Sequence, residues 1–225
     1  MGADMRPTVL LVNPNTSTAT TDMMLALARA ALPPGLALRS ATAARGAPMI
    51  TSDAELATAV DEVLAIGVRE AAGVAAIVVA AFGDPAVAAL RTRVQVPVVG
   101  IGEASMREAA AQGRRFGVAT TTPGLAVSIA QAVTRLGLAA QFSGTRIPQD
   151  DPLRLAADPG LQDQLLGEAV RACIEADGAQ AVVIGGGPLA ESAERLAGRF
   201  GVPVISPVAA AMRRVAALLE GAQPA

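Results

Sequence analysis

Ala76-Ile77-Val78-Val79-Ala80 and, 105 residues later, Ala181-Val182-Val183-Ile184-Gly185 are the two runs on which the fold turns. Each is unbroken in apolar character and rich in β-branched residues, the mark of a parallel strand covered on both faces. Six further runs read the same way: Thr8–Val12, Leu36–Ser40, Pro97–Ile101, Phe116–Ala119, Ala139–Thr145 and Pro203–Ile205. Alanine- and leucine-rich helical segments separate them. Ser52-Asp53-Ala54-Glu55 reads as a capping box opening a helix to about Glu70. Asp84-Pro85, Thr122-Pro123 and Asp158-Pro159 each place an N-cap before a proline at the first helical position. Gly113 and Gly137 stand where C-cap glycines belong. The alternation predicts an α/β protein with open, mainly parallel sheets flanked by helices.

The two opening runs belong to a longer repeat. Val96-Pro97-Val98-Val99, followed by Glu103 to Arg107, matches Val202-Pro203-Val204-Ile205, followed by Ala209 to Arg213, at an offset of 106. The strand ending at Asn13 matches the strand ending at Thr120 at an offset of 107. Three matches at nearly constant offset predict two pseudo-symmetric lobes, residues 1–110 and 111–225, with the last helix free to return and pack on the first lobe.

Composition bounds the chemistry. The 225 residues are 52% hydrophobic and 17% charged with a net charge of −2, which suits a packed core and provides no electrostatic footprint for nucleic acid or an anionic membrane. Met1 to Pro7 lacks the apolar stretch of a secretion signal, and no run approaches the ~20 residues of a membrane span. A cytoplasmic protein is the expectation. Histidine and lysine are both missing from the sequence, and Cys173 is the single cysteine. Histidine-based triads, the usual zinc sites, Schiff bases and internal disulfides are therefore excluded, and no metal is expected. Proton transfer is left to carboxylates, Cys173, hydroxyls or water.

Ligands of open parallel sheets bind beyond the carboxyl ends of the strands. Four loops fall there: Asn13-Pro14-Asn15-Thr16-Ser17, Ala81-Phe82-Gly83-Asp84, Thr120-Thr121-Thr122 and Gly185-Gly186-Gly187-Pro188. They form two repeat-related pairs, so equivalent loops should line one cleft between the lobes. The candidate substrate-binding residues are Asn13, Asn15, Thr16, Ala81, Phe82, Thr120, Thr121, Gly185, Gly186 and Gly187. Backbone N–H groups of such loops favour a small anionic or amide-bearing ligand. Gly100-Ile101-Gly102 continues as Glu-Ala-Ser and breaks the dinucleotide-binding spacing.

Val12-Asn13-Pro14-Asn15-Thr16-Ser17, Phe82-Gly83-Asp84-Pro85, Pro97 to Ile101 with Glu103-Ala104, and Arg115 to Val118 with Thr120-Thr121 resemble the hydantoin and allantoin racemases, within the aspartate/glutamate racemase superfamily. Asp177-Gly178-Ala179 and Gly201 to Ile205 extend the resemblance over nearly the whole chain. It implies two α/β lobes, a small-molecule substrate, no cofactor and a homo-oligomer. It also implies two opposed cysteines, one removing the α-proton through an enolate-like intermediate and one returning it. The sequence departs from that pattern at both places, with Ala81 before Phe82 and Gly186 after Gly185. Cys173 reads as a small core residue of its helix.

Three accounts stay open: a divergent enzyme acting on a cyclic amide or amino-acid-derived carboxylate, a binding protein that keeps the cleft, or introduced replacements. A hydrolase or lyase in the same cleft is the alternative chemistry. For an enzyme, Glu103 is the candidate catalytic carboxylate and Asp84 the more ordinary N-cap. Gly185 to Gly187 could stabilise an enolate through backbone N–H groups. A glycine in place of a thiol is expected to widen the pocket.

Overall fold

The computed structural model describes residues 6–221; residues 1–5, part of the stretch read above for a secretion signal, lie outside them. The first lobe runs β1 (Thr8–Asn13), α1 (Thr18–Ala31), β2 (Ala37–Thr42), α2 (Asp53–Glu70), β3 (Ala76–Val79), α3 (Val87–Arg91), β4 (Val98–Gly100) and α4 (Ile101–Ala109). The second runs β5 (Phe116–Ala119), α5 (Ala126–Arg135), β6 (Phe142–Arg146), α6 (Pro152–Ala157), α7 (Pro159–Glu175), β7 (Ala181–Ile184), α8 (Ala190–Leu196), β8 (Val204–Ile205) and α9 (Pro207–Glu220). Each lobe holds one four-stranded sheet, ordered β2-β1-β3-β4 and β6-β5-β7-β8, and every pairing is parallel. The repeat read in the sequence is thus a repeat of strand order. Among the described residues no helix is long and apolar enough to cross a membrane.

The unbroken apolar runs have a direct cause. Val9 and Leu11 enter a central core shared with Phe116, Val118 and Val183 of the second lobe, while Leu10 and Val12 face the opposite way, into a core with Val63 and Ile66 of α2. In the second sheet Val182 and Ile184 pack with Leu166 and Val170 of α7. Both faces of both sheets are covered, so alternation never develops, and each fully buried Val or Leu contributes about 1.5–3 kcal/mol. The last helix, α9, packs against α1 and α4. Met212 and Val215 join Met106 and Ala109 in the central core, and Arg213 pairs with Glu108 at 2.7 Å on its rim.

Local signals fare differently. Ser52 and Glu55 form the reciprocal capping box of α2, and Asp158 caps α7 by accepting from Leu161 N–H at 3.0 Å. Gly113 and Gly137 adopt φ of +78° and +73° after helical turns. The strand expected from Ala139 begins only at Phe142, because Ala139–Gln141 forms a 3-10 turn. Asp84 is not the N-cap of the helix that follows it. Asp84 and Ala86 hold φ of +52° and +63° around Pro85, which delays α3 to Val87. The Asp84 carboxylate instead accepts from the N–H groups of Gly102 and Glu103, at 2.8 and 2.6 Å, and so caps α4.

Candidate functional site

The four loops beyond β1, β3, β5 and β7 meet at one cavity between the two sheets. Its walls are Asn15, Met49, Ile50, Leu56, residues 80–83, Thr121, Thr122, Leu125 and residues 185–189, around a volume of about 40 Å³. That is far below the ~300–1,000 Å³ of ordinary ligand pockets. Matching backbone bonds bring the loops there: Ala80 N–H donates to Val12 O at 2.8 Å, and Gly185 N–H donates to Ala119 O at 2.8 Å. Each bond carries its strand pair one residue past the sheet, so the next residues, Ala81 and Gly186, come to the same cavity from opposite lobes.

Asn13 and Thr120, the paired ends of the central strands, are fully buried and do not line the cavity. They organise the loops that do. Asn13 Nδ2 donates to Asn15 Oδ1 at 2.8 Å, to Ser17 O at 3.1 Å and to Thr21 Oγ1 at 2.9 Å. Thr120 Oγ1 donates to Gly185 O at 2.5 Å and shares a hydrogen bond with Thr122 Oγ1 at 3.0 Å. Thr16 also lies outside the lining; its N–H donates to Ala47 O at 3.1 Å and holds down the segment between β2 and α2.

Asn15, Ala81, Phe82, Thr121, Gly185, Gly186 and Gly187 do line the cavity. One of them presents an unpaired buried polar atom. Thr121 is fully buried and its Oγ1 has no hydrogen-bond partner among the described residues, whereas Asn15 uses Oδ1 to accept from Asn13 and from Ser17 N–H. A buried orphan hydroxyl costs about 1–3 kcal/mol, so its presence calls for a reason.

The glycine at 186 does not widen the pocket. A Cβ built there would lie 3.1 Å from Leu189 Cγ and 3.2 Å from Cδ1, so the Leu189 side chain already fills the space. At Gly185 a Cβ would stand 2.8 Å from Val118 Cγ1 and 3.0 Å from Phe82 Cε1, which shows the Phe82 ring laid against bare backbone. Met49, Ile50, Leu56, Leu125 and Leu189 escaped the sequence reading, since isolated apolar residues in loops carry no local signal.

The structure places Glu103 away from this cavity. It lines a separate groove of about 920 Å³ beside β4, α4 and α9, and is absent from the cavity lining. Arg91 and Arg107 hold its carboxylate at 3.0 and 2.9 Å. Burial pushes the Glu103 carboxyl up, but Arg107 and Arg91 outweigh burial and keep it below the usual glutamate value. It is the centre of an ion-pair network. Cys173 is fully buried under β5, with burial pushing its thiol up to about 11. Among the described residues no ionisable side chain lines the cavity, and no three His, Cys, Asp or Glu residues gather to hold a metal.

Two parallel sheets of identical strand order, closing a small cavity where their loops meet, define a pseudo-symmetric two-lobed α/β protein. The chain belongs to the Asp/Glu/Hydantoin racemase family, whose family model matches residues 9–215. It is 31% identical over 212 residues to the hydantoin racemase of Pseudomonas sp. strain NS671, covering 91% of this chain and 83% of that protein. It is 27% identical over 209 residues to that of Paenarthrobacter aurescens, covering 91% and 88%. The allantoin racemase of Klebsiella pneumoniae superposes with a TM-score of 0.90 at 32% identity, covering 95% of this chain and 88% of that one. The chain is thus hydantoin/allantoin-racemase-like in sequence and fold.

Proposed function

We propose that the interlobe cavity binds a small, neutral cyclic amide of the hydantoin class, without a cofactor, and that the chain does not racemise it by side-chain proton transfer. The observation that carries this reading is the cavity lining. At the two positions where the resemblance implies opposed cysteines stand Ala81 and Gly186, and no other lining side chain ionises. A two-base mechanism needs one group to take the proton and another to give it, both with pKa values near the working pH. Alanine, glycine, threonine and asparagine offer neither. The same lining contains no cation to offset a buried carboxylate, which favours an uncharged imide over an amino acid. Asn15, Thr121 and the N–H of Gly186, which has no backbone acceptor among the described residues, are the groups proposed to meet ring carbonyl and N–H atoms. Cytoplasmic residence and a homo-oligomer belong to the same proposal.

Entry into a cavity of about 40 Å³ requires the lining, which includes Met49, Ile50 and Leu56, to open. A second reading keeps catalysis: the free Gly186 N–H would stabilise an enolate-like intermediate while water carries the protons. One experiment separates them. Single enantiomers of 5-methylhydantoin and allantoin are incubated with the protein in D₂O, with α-proton exchange followed by NMR and binding by calorimetry. Binding with exchange no faster than the protein-free control is the expected result. Exchange above that control supports the enolate reading, a new product a hydrolase or lyase, and failure to bind either compound removes the cleft assignment.

A further inference from the structure

The loop that contributes Ala81, Phe82 and Gly83 to the cavity is fastened from behind. Asp84 follows it, in the left-handed region, and its two carboxylate oxygens accept from Gly102 and Glu103 N–H at the start of α4. The approach is close enough to forbid side chains on the far side. A Cβ on Gly100 would fall 2.3 Å from the Asp84 carboxyl carbon, and one on Gly102 would fall 2.1 Å from Phe82 O. Two non-glycine residues with positive φ flank Pro85, so the segment stores backbone strain of the kind found at switch regions. Asp84 N–H closes the turn on Ala81 O at 2.9 Å, and the carboxylate adds the tie to α4. The second lobe has no counterpart: the repeat puts Leu189 at the equivalent of Asp84.

We propose that Asp84 is a pH-responsive tether, whose carboxylate fastens the cavity loop to α4 and whose protonation releases one of its two N–H bonds and loosens residues 81–83. Each carboxylate oxygen serves one N–H, so a proton on either turns an acceptor toward a donor. The charged groups facing it are few. Glu103 on α4 opposes its ionisation, Arg91 on α3 supports it, and Arg107 acts only through its pair with Glu103. Asp84 keeps some exposure as a residue, but its carboxyl is turned inward against α4, and burial outweighs the two N–H bonds and pushes it up to about 7. The tether itself stands apart from the ligand; its effect on binding rests on the reading above.

The test is an amide titration of the ¹⁵N-labelled full chain from about pH 5 to about pH 9. Gly102 and Glu103 N–H should move with one midpoint, residues 81–83 should share it, and order parameters of residues 81–83 should fall on its acid side. Asp84→Asn should abolish the shared midpoint. Glu103→Gln, which removes the opposing charge, should shift it acidward by roughly half a unit and remains informative if the first variant fails to fold. Affinity for 5-methylhydantoin should change several-fold across the same midpoint. Residues 81–83 that stay fixed through the range, or titrate unchanged in Glu103→Gln, overturn the tether. A normal titration with no hydantoin binding at any pH leaves the tether standing and removes the cleft assignment.

Discussion

Adjacent threonines in one loop, both fully buried, should respond oppositely to the same substitution. Thr120 Oγ1 bridges the lobe's two central strand ends by bonding Gly185 O at 2.5 Å and Thr122 Oγ1 at 3.0 Å. Thr120→Val keeps the shape but leaves both partners buried and unsatisfied, at about 1–3 kcal/mol each. For a chain of this size each kcal/mol is worth about 2–4 °C in Tm, so a loss of roughly 4–24 °C is expected. Thr121 Oγ1 bonds nothing among the described residues. Thr121→Val removes an unmet hydroxyl and should raise stability by about 1 kcal/mol, or a few degrees. If that hydroxyl is kept for a ligand, the same change should weaken 5-methylhydantoin binding about tenfold, equal to ~1.4 kcal/mol. Thermal unfolding and calorimetric titration of both variants decide the matter. A Thr121→Val protein that loses stability as Thr120→Val does would refute the orphan assignment. One that gains stability and binds normally would refute the ligand role.

Three further outcomes follow from the same geometry. Gly186→Cys should cost about 1–3 kcal/mol because its Cβ presses on Leu189, and Leu189→Ala should relieve it; Ala81→Cys/Gly186→Cys/Leu189→Ala should then gain α-proton exchange with 5-methylhydantoin in D₂O. Asp84 has a folded value near 7 against 3.8 for the free side chain, so the folded state binds the extra proton between these values. Its contribution to stability therefore falls as pH rises from about 4 to about 7, by at most ~1.4 kcal/mol per unit, and urea melts of Asp84→Asn should lack that slope. Glu103→Gln should leave hydantoin affinity within about twofold and cost about 0–1 kcal/mol, as befits a part-exposed ion-pair network; a larger affinity loss would restore it to the site.

The fold was legible because its signals are redundant along the chain. Phe116–Ala119 and Ala181–Ile184 are strands over the same residues in sequence and structure, since only two-sided burial explains unbroken apolar runs. The site was legible as loops and less so as side chains. Asn13 and Asn15 differ by two positions, yet one is a staple behind the wall and the other is the wall. Nothing local separates them. Asp84 was misassigned because an Asp-Pro pair is read against its own successor, whereas its partners lie 18 and 19 residues on. Leu189 was invisible for the same reason: whether a glycine opens space depends on which side chain turns back into it.

Asp84 and Leu189 are one repeat position put to two uses, and that asymmetry bears on what the duplicated scaffold can do. In the first lobe the position ties its loop to a helix start, and Gly100 at the helix N-cap has no room for a side chain. In the second lobe the repeat brings Leu189 in place of a carboxylate, and the matching N-cap residue is Ser206, whose buried hydroxyl has no partner among the described residues. Leu189 meanwhile occupies the volume beside Gly186. One loop is thus fastened through a titratable group and the other is wedged by an apolar side chain. Twofold symmetry of the backbone suits a reaction with equivalent groups on opposite faces of a substrate. On the proposed reading Ala81 and Gly186 stand in place of those groups, so symmetry imposes no demand at that position, and the two loops are free to diverge as Asp84 and Leu189 have done.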